Sequence, residues 1–328
     1  MKHCRILIAG AGLGGLTAAS CLMKAGHTVE IYEQAPELSE VGAGIQISAN
    51  AQHVLRHLGL GEAIDRVGVR PGAYVFRLHD TGEEIQRFSL SEEHLRMHGA
   101  PYTQLHRADL HDILAARARE LDPAVVKLNH RVTGFSESEQ GVELHFANGA
   151  SARGDLLIAA DGLKSVVRGQ MFGDMPATYT GDAIWRLTVP TSRLPPNMVE
   201  RVMSVFMGPA GHVICYYLRG GALLNWAGVV ETDELSEESW TVKLPWTMLK
   251  ARYVGWHPII QTIIDAADRD QCYRWSLSAA SITVCNAGCQ PRYCAFSSSH
   301  GSLTVQDSSE ISSVSTRPTK FNSSPARR

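Results

Sequence analysis

Arg5-Ile6-Leu7-Ile8-Ala9-Gly10-Ala11-Gly12-Leu13-Gly14-Gly15 decides the fold, because an apolar run passes straight into glycines spaced G-x-G-x-x-G. Leu16, Ala19, Leu22 and Met23 then recur at helical spacing, Gly26 stops that helix, and Thr28-Val29-Glu30-Ile31-Tyr32 reads as a second strand closed by Glu33. Strand, glycine turn, helix, strand and acid in that order predict an α/β unit for a dinucleotide. Gly10 permits the tight turn, Gly12 lets a pyrophosphate approach the backbone, and Gly15 lets the helix pack closely on the strand. The N–H groups at the helix start, with Leu13 and Gly14 in that first turn, face the phosphates. Glu33 can accept hydrogen bonds from both hydroxyls of an adenosine ribose and would repel a 2'-phosphate. The motif alone leaves FAD and NAD both open.

Lys2 and Arg5 ahead of the apolar run, with Ala18-Ala19-Ser20-Cys21 behind it, loosely imitate a secretory signal. The glycine spacing and the completing strand and acid argue against that reading. With 328 residues, 44% of them hydrophobic, the chain can bury a large core in two domains or one large one. Its formal charge of -2 gives no bias toward nucleic acid, and no uncharged apolar run is long enough to span a bilayer. An odd count of seven cysteines, with Cys4, Cys21 and Cys215 in apolar contexts, fits reduced thiols in the cytoplasm. Cys285, Cys289 and Cys294 match no common zinc spacing, so no metal site is expected.

Beyond Glu33, Val41-Gly42-Ala43-Gly44 reads as turn chemistry, and Asn50 as the N-cap of a helix over 51–58 that precedes another over 62–67. Residues 73–79 and 84–89 form a hairpin around Thr81-Gly82. Tyr102 to His106 leads through Arg107 to a helix starting at Asp109; Arg107 is either a surface charge or a phosphate or ribose contact. Short strands follow at 125–128, 131–136 and 142–146, then the buried run Leu156-Leu157-Ile158-Ala159 delivers Ala160-Asp161-Gly162 toward Ser165 and Arg168. A strand that ends in Asp-Gly before a helix is geometry for a polar ligand. Strands at 183–189, 202–207, 212–218 and 223–230 make a second, sheet-based domain, with helices over 246–253 and 258–267 behind it.

Taken together, Gly10 to Gly15 with Glu33, Val41 to Gly44, His106-Arg107-Ala108-Asp109-Leu110, and Leu157 to Gly162 with Ser165 and Arg168 resemble the single-component FAD-dependent aromatic hydroxylases. Within them the salicylate hydroxylase and 3-hydroxybenzoate 6-hydroxylase group is most similar, and the likeness spans residues 4–277. It implies a Rossmann-like, glutathione-reductase-type FAD domain (1–68 and 101–180) interrupted by an antiparallel-sheet substrate domain (69–100 and 181–277). It also implies a flavin reduced by NADH or NADPH that takes up O2 and passes one oxygen to a small aromatic substrate. Gly10, Gly12, Gly15 and Glu33 would hold the ADP half, Arg107 would serve the ribose and pyrophosphate region, Gly44 would be a further cofactor-binding residue, and Asp161 and Gly162 would serve the pyrophosphate and the entry of the reductant. His212 and Tyr216, on one face of a strand, would hold the phenol and draw off its proton. The other reading of that pair is ordinary sheet hydrogen bonding; Trp185, Arg186 and Trp226 read as packing residues that could also line the cavity.

Cys272 to Leu277 resembles the family's return to its FAD domain, but no Gly-Asp pair follows Leu277. The serine-rich stretch 278–328 is expected to be disordered and to supply neither strand nor core helix. Composition and motif content change together there, as a shifted reading frame would make them; a Gly-Asp-bearing continuation in another frame of the encoding DNA tests this. An incomplete flavin half predicts weak FAD retention and leakage to hydrogen peroxide. The rival readings are an NAD-dependent oxidoreductase and a catalytically inactive remnant.

Overall fold

The computed structural model describes residues 3–38, 43–173, 177–233, 243–279 and 293–295. β1 (Arg5–Ala9), α1 (Leu13–Lys24) and β2 (Thr28–Tyr32) form the expected unit, with β1 parallel to β2 in the register Arg5↔Thr28 to Ala9↔Tyr32. From Ile6 to Ala9 β1 is apolar because both its faces are covered. Ile6 and Ile8 pack with Leu16 and Ala19 of α1, whereas Leu7 and Ala9 pack with Val142 and Leu144 on the other side.

β3 (Gly44–Ile47), α2 (Ala49–His57) and α3 (Gly61–Val67) follow. The N-cap of α2 is Ser48 rather than Asn50, because Ser48 has the extended backbone that a cap needs and Asn50 already lies in the helix. β4 (Ala73–Leu78) and β5 (Glu84–Ser89) make the hairpin, and α4 (Glu92–His98), an element the sequence reading did not contain, buries no side chain. β6 (Thr103–His106) pairs antiparallel with β3, so the segment read as turn chemistry is half of a two-stranded sheet; Val41 and Gly42 lie outside the described residues.

α5 (Arg107–Leu121) begins two residues earlier than expected, since the His106 Nδ1 accepts the Ala108 N–H at 3.2 Å and caps it. Arg107 is thus the first helical residue and Asp109 an acid in the first turn, paired with Arg219 at 2.7 Å. After β7 (Val126–Lys127), the antiparallel strands β8 (Val132–Ser138), β9 (Gly141–Phe146) and β10 (Ser151–Gly154) form a three-stranded sheet. β11 (Leu156–Ala159) then enters beside β1 in parallel and leads to α6 (Val166–Phe172).

The second layer is built from β12 (Thr178–Pro190), β13 (Met203–Gly208), β14 (Gly211–Leu218) and β15 (Leu223–Glu231), backed by α7 (Trp246–Arg252) and α8 (Pro258–Ala266). β16 (Tyr273–Ala279) pairs antiparallel with β12, so the stretch that resembles the family's return to its FAD domain is the edge strand of this sheet. The seven strands run β16-β12-β15-β14-β13-β4-β5, with β4 parallel to β13. The outer face, with Trp185, Val213, Cys215 and Trp226, packs on Leu249, Tyr253, Ile260 and Ile263 of the two helices, which makes Trp185 and Trp226 core residues.

β17 (Tyr293–Ala295) adds a fifth parallel strand beside β11. The expectation that nothing after Leu277 supplies a strand is corrected at this point. A serine-rich composition averaged over the segment hid the short Tyr-Cys-Ala run, which a waiting sheet edge can pair. The rest of the disorder expectation, and Cys285 and Cys289, lie outside the described residues. Among the described residues no helix is long and apolar enough to cross a membrane.

Candidate functional site

The glycine turn is shaped by contacts that side chains would break. Gly10 has φ +99°, and a Cβ there would lie 2.8 Å from the Ala160 carbonyl carbon at the end of β11. A Cβ on Gly15 would run into the Gly10 carbonyl oxygen, so α1 approaches β1 only without one. By contrast, Gly12 and Gly14 open onto empty space. Gly12 caps α1 with no side-chain hydrogen bond, so its first-turn N–H groups have no side-chain cap. Open space before an uncapped helix start is a socket for an anion.

The Ala11 peptide is held at both ends. Glu33, just beyond β2, accepts the Ala11 N–H at 2.9 Å with one carboxylate oxygen and the Ala35 N–H at 2.9 Å with the other. The buried His111 of α5 hydrogen-bonds the Ala11 carbonyl through Nε2 at 2.9 Å. Each oxygen of Glu33 retains acceptor capacity, which suits a ribose diol. Arg107 gives its backbone N–H to the Ala43 carbonyl at 2.9 Å, which ties the start of α5 to the entry of β3.

Beyond β11, the Asp161 carboxylate takes the Ser165 hydroxyl at 2.5 Å and the Val167 N–H at 3.3 Å, so it organises the start of α6. Gly162 turns at φ +83° with nothing against its Cα, and the buried Arg168 holds the carbonyls of Gly162 and Leu163. The structure therefore brings Gly10 and Asp161 together: a Cβ on Gly10 would lie 3.1 Å from the Asp161 Cα.

The inner face of the seven-stranded sheet is read directly from its register. One row across it holds Thr188, Asn225, Tyr216, Met203 and Tyr74; the next holds Arg186, Ala227, Ile214, Val205 and Phe76; the third holds Ile184, Val229, His212, Met207 and Leu78. His212 and Tyr216 share this face, separated along β14 by about 13 Å at roughly 3.3 Å per residue. Arg186 lies on it as well, its guanidinium 5.3 Å from the Trp275 ring centre. Burial lowers the affinity of His212 for a proton, opposed by the charge of Asp182, and pushes the Tyr216 hydroxyl up to about 12.

The two layers meet at Gly44. Its N–H donates to the buried Asn225 Oδ1 at 2.9 Å, and a Cβ on it would lie 2.6 Å from two Tyr216 ring carbons. Close approach, rather than a turn, is what requires glycine there. The Gln46 amide, on the same strand, hydrogen-bonds the Tyr216 hydroxyl, and its Oε1 accepts the Tyr102 hydroxyl at 2.6 Å. Gly44→Ala is expected to displace the Tyr216 ring and lower aromatic-substrate affinity at least tenfold; substrate titration of the variant checks this. Gln46, Tyr102, His111 and Asn225 were missed in the sequence, because nothing local marks a polar residue whose partner lies on another strand. The alternation of Gln46 and Gln104 on facing strands would have been the signal, had the β3–β6 pair been read.

Residues 3–253 match the family model described as "FAD binding domain". The chain is 34% identical over 273 residues to the 3-amino-4-hydroxybenzoate 2-monooxygenase PtmB3 of Streptomyces platensis, covering 83% of this chain and 67% of that one. It is 33% identical to the 3-hydroxybenzoate 6-hydroxylase 1 of Aquipseudomonas alcaligenes, with 83% and 71% covered. Klebsiella pneumoniae HpxO, solved with FAD and uric acid, superposes with a TM-score of 0.74 at 26% identity over 89% of this chain and 72% of that one. The open glycine turn suits the diphosphate, and Glu33 the ribose, of the FAD with which HpxO was solved. By fold, by cradle and by sequence, the chain belongs to the FAD binding domain family, and within it to the single-component FAD-dependent aromatic hydroxylases.

Proposed function

We propose that this protein hydroxylates a phenolic aromatic carboxylate, with NADH or NADPH as reductant and O2 as the oxygen source. In this reading Gly10, Gly12, Leu13, Gly14, Gly15 and Glu33 hold the ADP half of FAD, Gly44 and Arg107 border it, and Asp161 and Gly162 shape the pyrophosphate side. Bound FAD supplies reducing equivalents and activated oxygen; everything else falls to the side chains of the inner sheet face.

The observation that carries the proposal is the placement of His212 and Tyr216 at either end of a floor made by Ile214 and Ala227. A single substituted ring with a hydrogen bond of about 2.8 Å at each end fills such a span. Tyr216, oriented by Gln46, donates to a polar substituent at one end. His212, kept neutral by burial, accepts the phenol proton at the other. The phenolate that results is a stronger nucleophile toward electrophilic oxygen than the phenol. Arg186 sets a positive charge beside both the substituent and the developing anion, and the apolar neighbours Val205 and Phe76 exclude water.

Purified protein titrated with FAD is expected to turn yellow with saturable binding. Addition of a hydroxybenzoate should then accelerate NAD(P)H oxidation and yield a ring-hydroxylated product, with part of the electrons appearing as hydrogen peroxide. FAD binding with no phenol-stimulated oxidation would support a catalytically inactive remnant, and absence of any flavin binding would remove the reading altogether.

A further inference from the structure

We propose that Trp275 is a positioning residue for substrate recognition: its indole holds the Arg186 guanidinium over the inner face of the seven-stranded sheet, where that guanidinium receives an anionic substituent of the ring. This rests on the hydroxylase reading above and deepens it.

The register puts the two side chains together. β16 lies beside β12 with Ile184 opposite Trp275, Trp185 opposite Arg274 and Arg186 opposite Tyr273. Directly opposed residues share a face, so Trp275 stands on the inner face with Ile184 and diagonal to Arg186, a separation that an aromatic ring and a long side chain close. The guanidinium carbon lies 5.3 Å from the indole centre, within cation–π range. A guanidinium is planar and weakly hydrated, so it stacks on a ring where an ammonium would seek water. Trp275 is buried, whereas Arg186 and its inner-face neighbours Ile184, Ile214 and His212 keep part of their surface exposed, so the floor around the cation is open.

The surroundings of Arg186 make such support necessary. Burial works against its cation, the Tyr216 hydroxyl partly offsets that, and the like charge of Arg107 adds to it. A cation in that position gains from an aromatic face and gains again from an anion. A long side chain left to rotate would have to give up its rotamer freedom when a carboxylate arrives; the indole removes that cost beforehand.

The same two strands supply a comparison on the other side of the sheet. The Arg274 guanidinium lies 5.7 Å from the Trp185 ring centre, but Trp185 belongs to the core between the outer face and the two helices, and Arg274 is 6% exposed. That pair is closed in. The Arg186–Trp275 pair is its counterpart on the face that carries His212 and Tyr216.

The test titrates the full chain loaded with FAD with 4-hydroxybenzoate and with 4-hydroxybenzamide, followed by flavin difference spectra. The two probes share the ring and the phenol and differ in the charge of one substituent. The native protein is expected to bind the benzoate about tenfold more tightly. In Trp275→Leu the benzoate affinity should fall about tenfold, between the values of an exposed and a desolvated cation–π pair, while the benzamide affinity changes less than about threefold. Trp275→Phe, which keeps an aromatic face, should recover most of the loss, and Arg186→Lys, which keeps the charge but stacks poorly, should show a selective loss in the same direction. Arg274→Met, which opens the outer pair, should lower the melting temperature and leave the ratio of the two affinities as in the native protein. Equal weakening of both probes in Trp275→Leu, or a ratio that shifts as much in Arg274→Met, traces the effect to distortion of the sheet edge and overturns the proposal alone. So does a ratio unchanged in Trp275→Leu and Arg186→Lys, or a native protein with no preference for the benzoate. Failure of the native protein to bind either ring overturns it together with the reading it rests on.

Discussion

Gly15→Ala is expected to release FAD, raising its dissociation constant at least a hundredfold. The added methyl would overlap the Gly10 carbonyl oxygen and lie 3.4 Å from the Ala160 Cβ, and both belong to the tightly packed ends of β1 and β11. Neither can move without breaking the Gly10 N–H to Tyr32 carbonyl bond at 2.8 Å or the Ala160 N–H to Ala9 carbonyl bond at 2.8 Å. α1 must therefore back away, which carries its N–H groups off the phosphate position and separates Ala11 from Glu33. Overpacking of this kind costs about 1–3 kcal/mol in stability, and the lost anion contacts add to it on the holoprotein. Flavin fluorescence titration and thermal melts check both effects. Gly169→Ala in α6 is the matched control: its Cα faces open space, so the change should leave FAD binding intact and slightly stabilise the helix.

His212→Ala should lower the rate of ring hydroxylation by about 10²- to 10⁴-fold, the usual share of a positioned general base. Reduction of the bound flavin by NAD(P)H should persist, so the electrons divert to hydrogen peroxide. The pH dependence gives the sign. Burial depresses the pKa of His212 below its ordinary value of 6.5, so the neutral, working form persists to lower pH and the acid limb of kcat/KM falls below 6.5. Asp182→Asn removes the charge that opposes this shift and should move the limb further toward acid. In His212→Ala the acid limb disappears, and activity returns as pH approaches about 10, where a phenol ionises unaided. The same shift makes stability drain as pH falls below 6.5, because the unfolded chain takes the proton first. Rate profiles with product quantified separately from NAD(P)H consumption distinguish the base from a merely structural histidine.

The nucleotide unit was legible because its requirements are local. Gly10 and Gly15 are glycines for reasons set within a few residues of chain and one neighbouring strand, and the apolar run of β1 is what a doubly covered parallel strand must be. The strands β12 to β15 were equally readable from alternation. What the sequence did not disclose depends on distant pairing. Gly44 has no positive φ to mark it; its meaning is a tyrosine that arrives along the chain only at position 216. Arg186 could be read as packing or as cavity lining until the register placed it on the inner face. That Cys272 to Leu277 pairs with β12 was not legible, because a strand pattern carries no label for the neighbour it will join. The exposed helix α4 left no trace because it buries nothing, and periodicity reports burial.

The parallel pairing of β13 with β4 has a consequence for how the molecule comes into being. The hairpin of β4 and β5 leaves the ribosome early and has nothing to lie against until β13 emerges, after the whole of the intervening nucleotide layer has been made. Its only stable place is between segments far apart in the chain, so closure of that seam is slow by nature. The seam thereby closes one seven-stranded sheet out of a hairpin that precedes most of the nucleotide unit in the chain and strands that follow it.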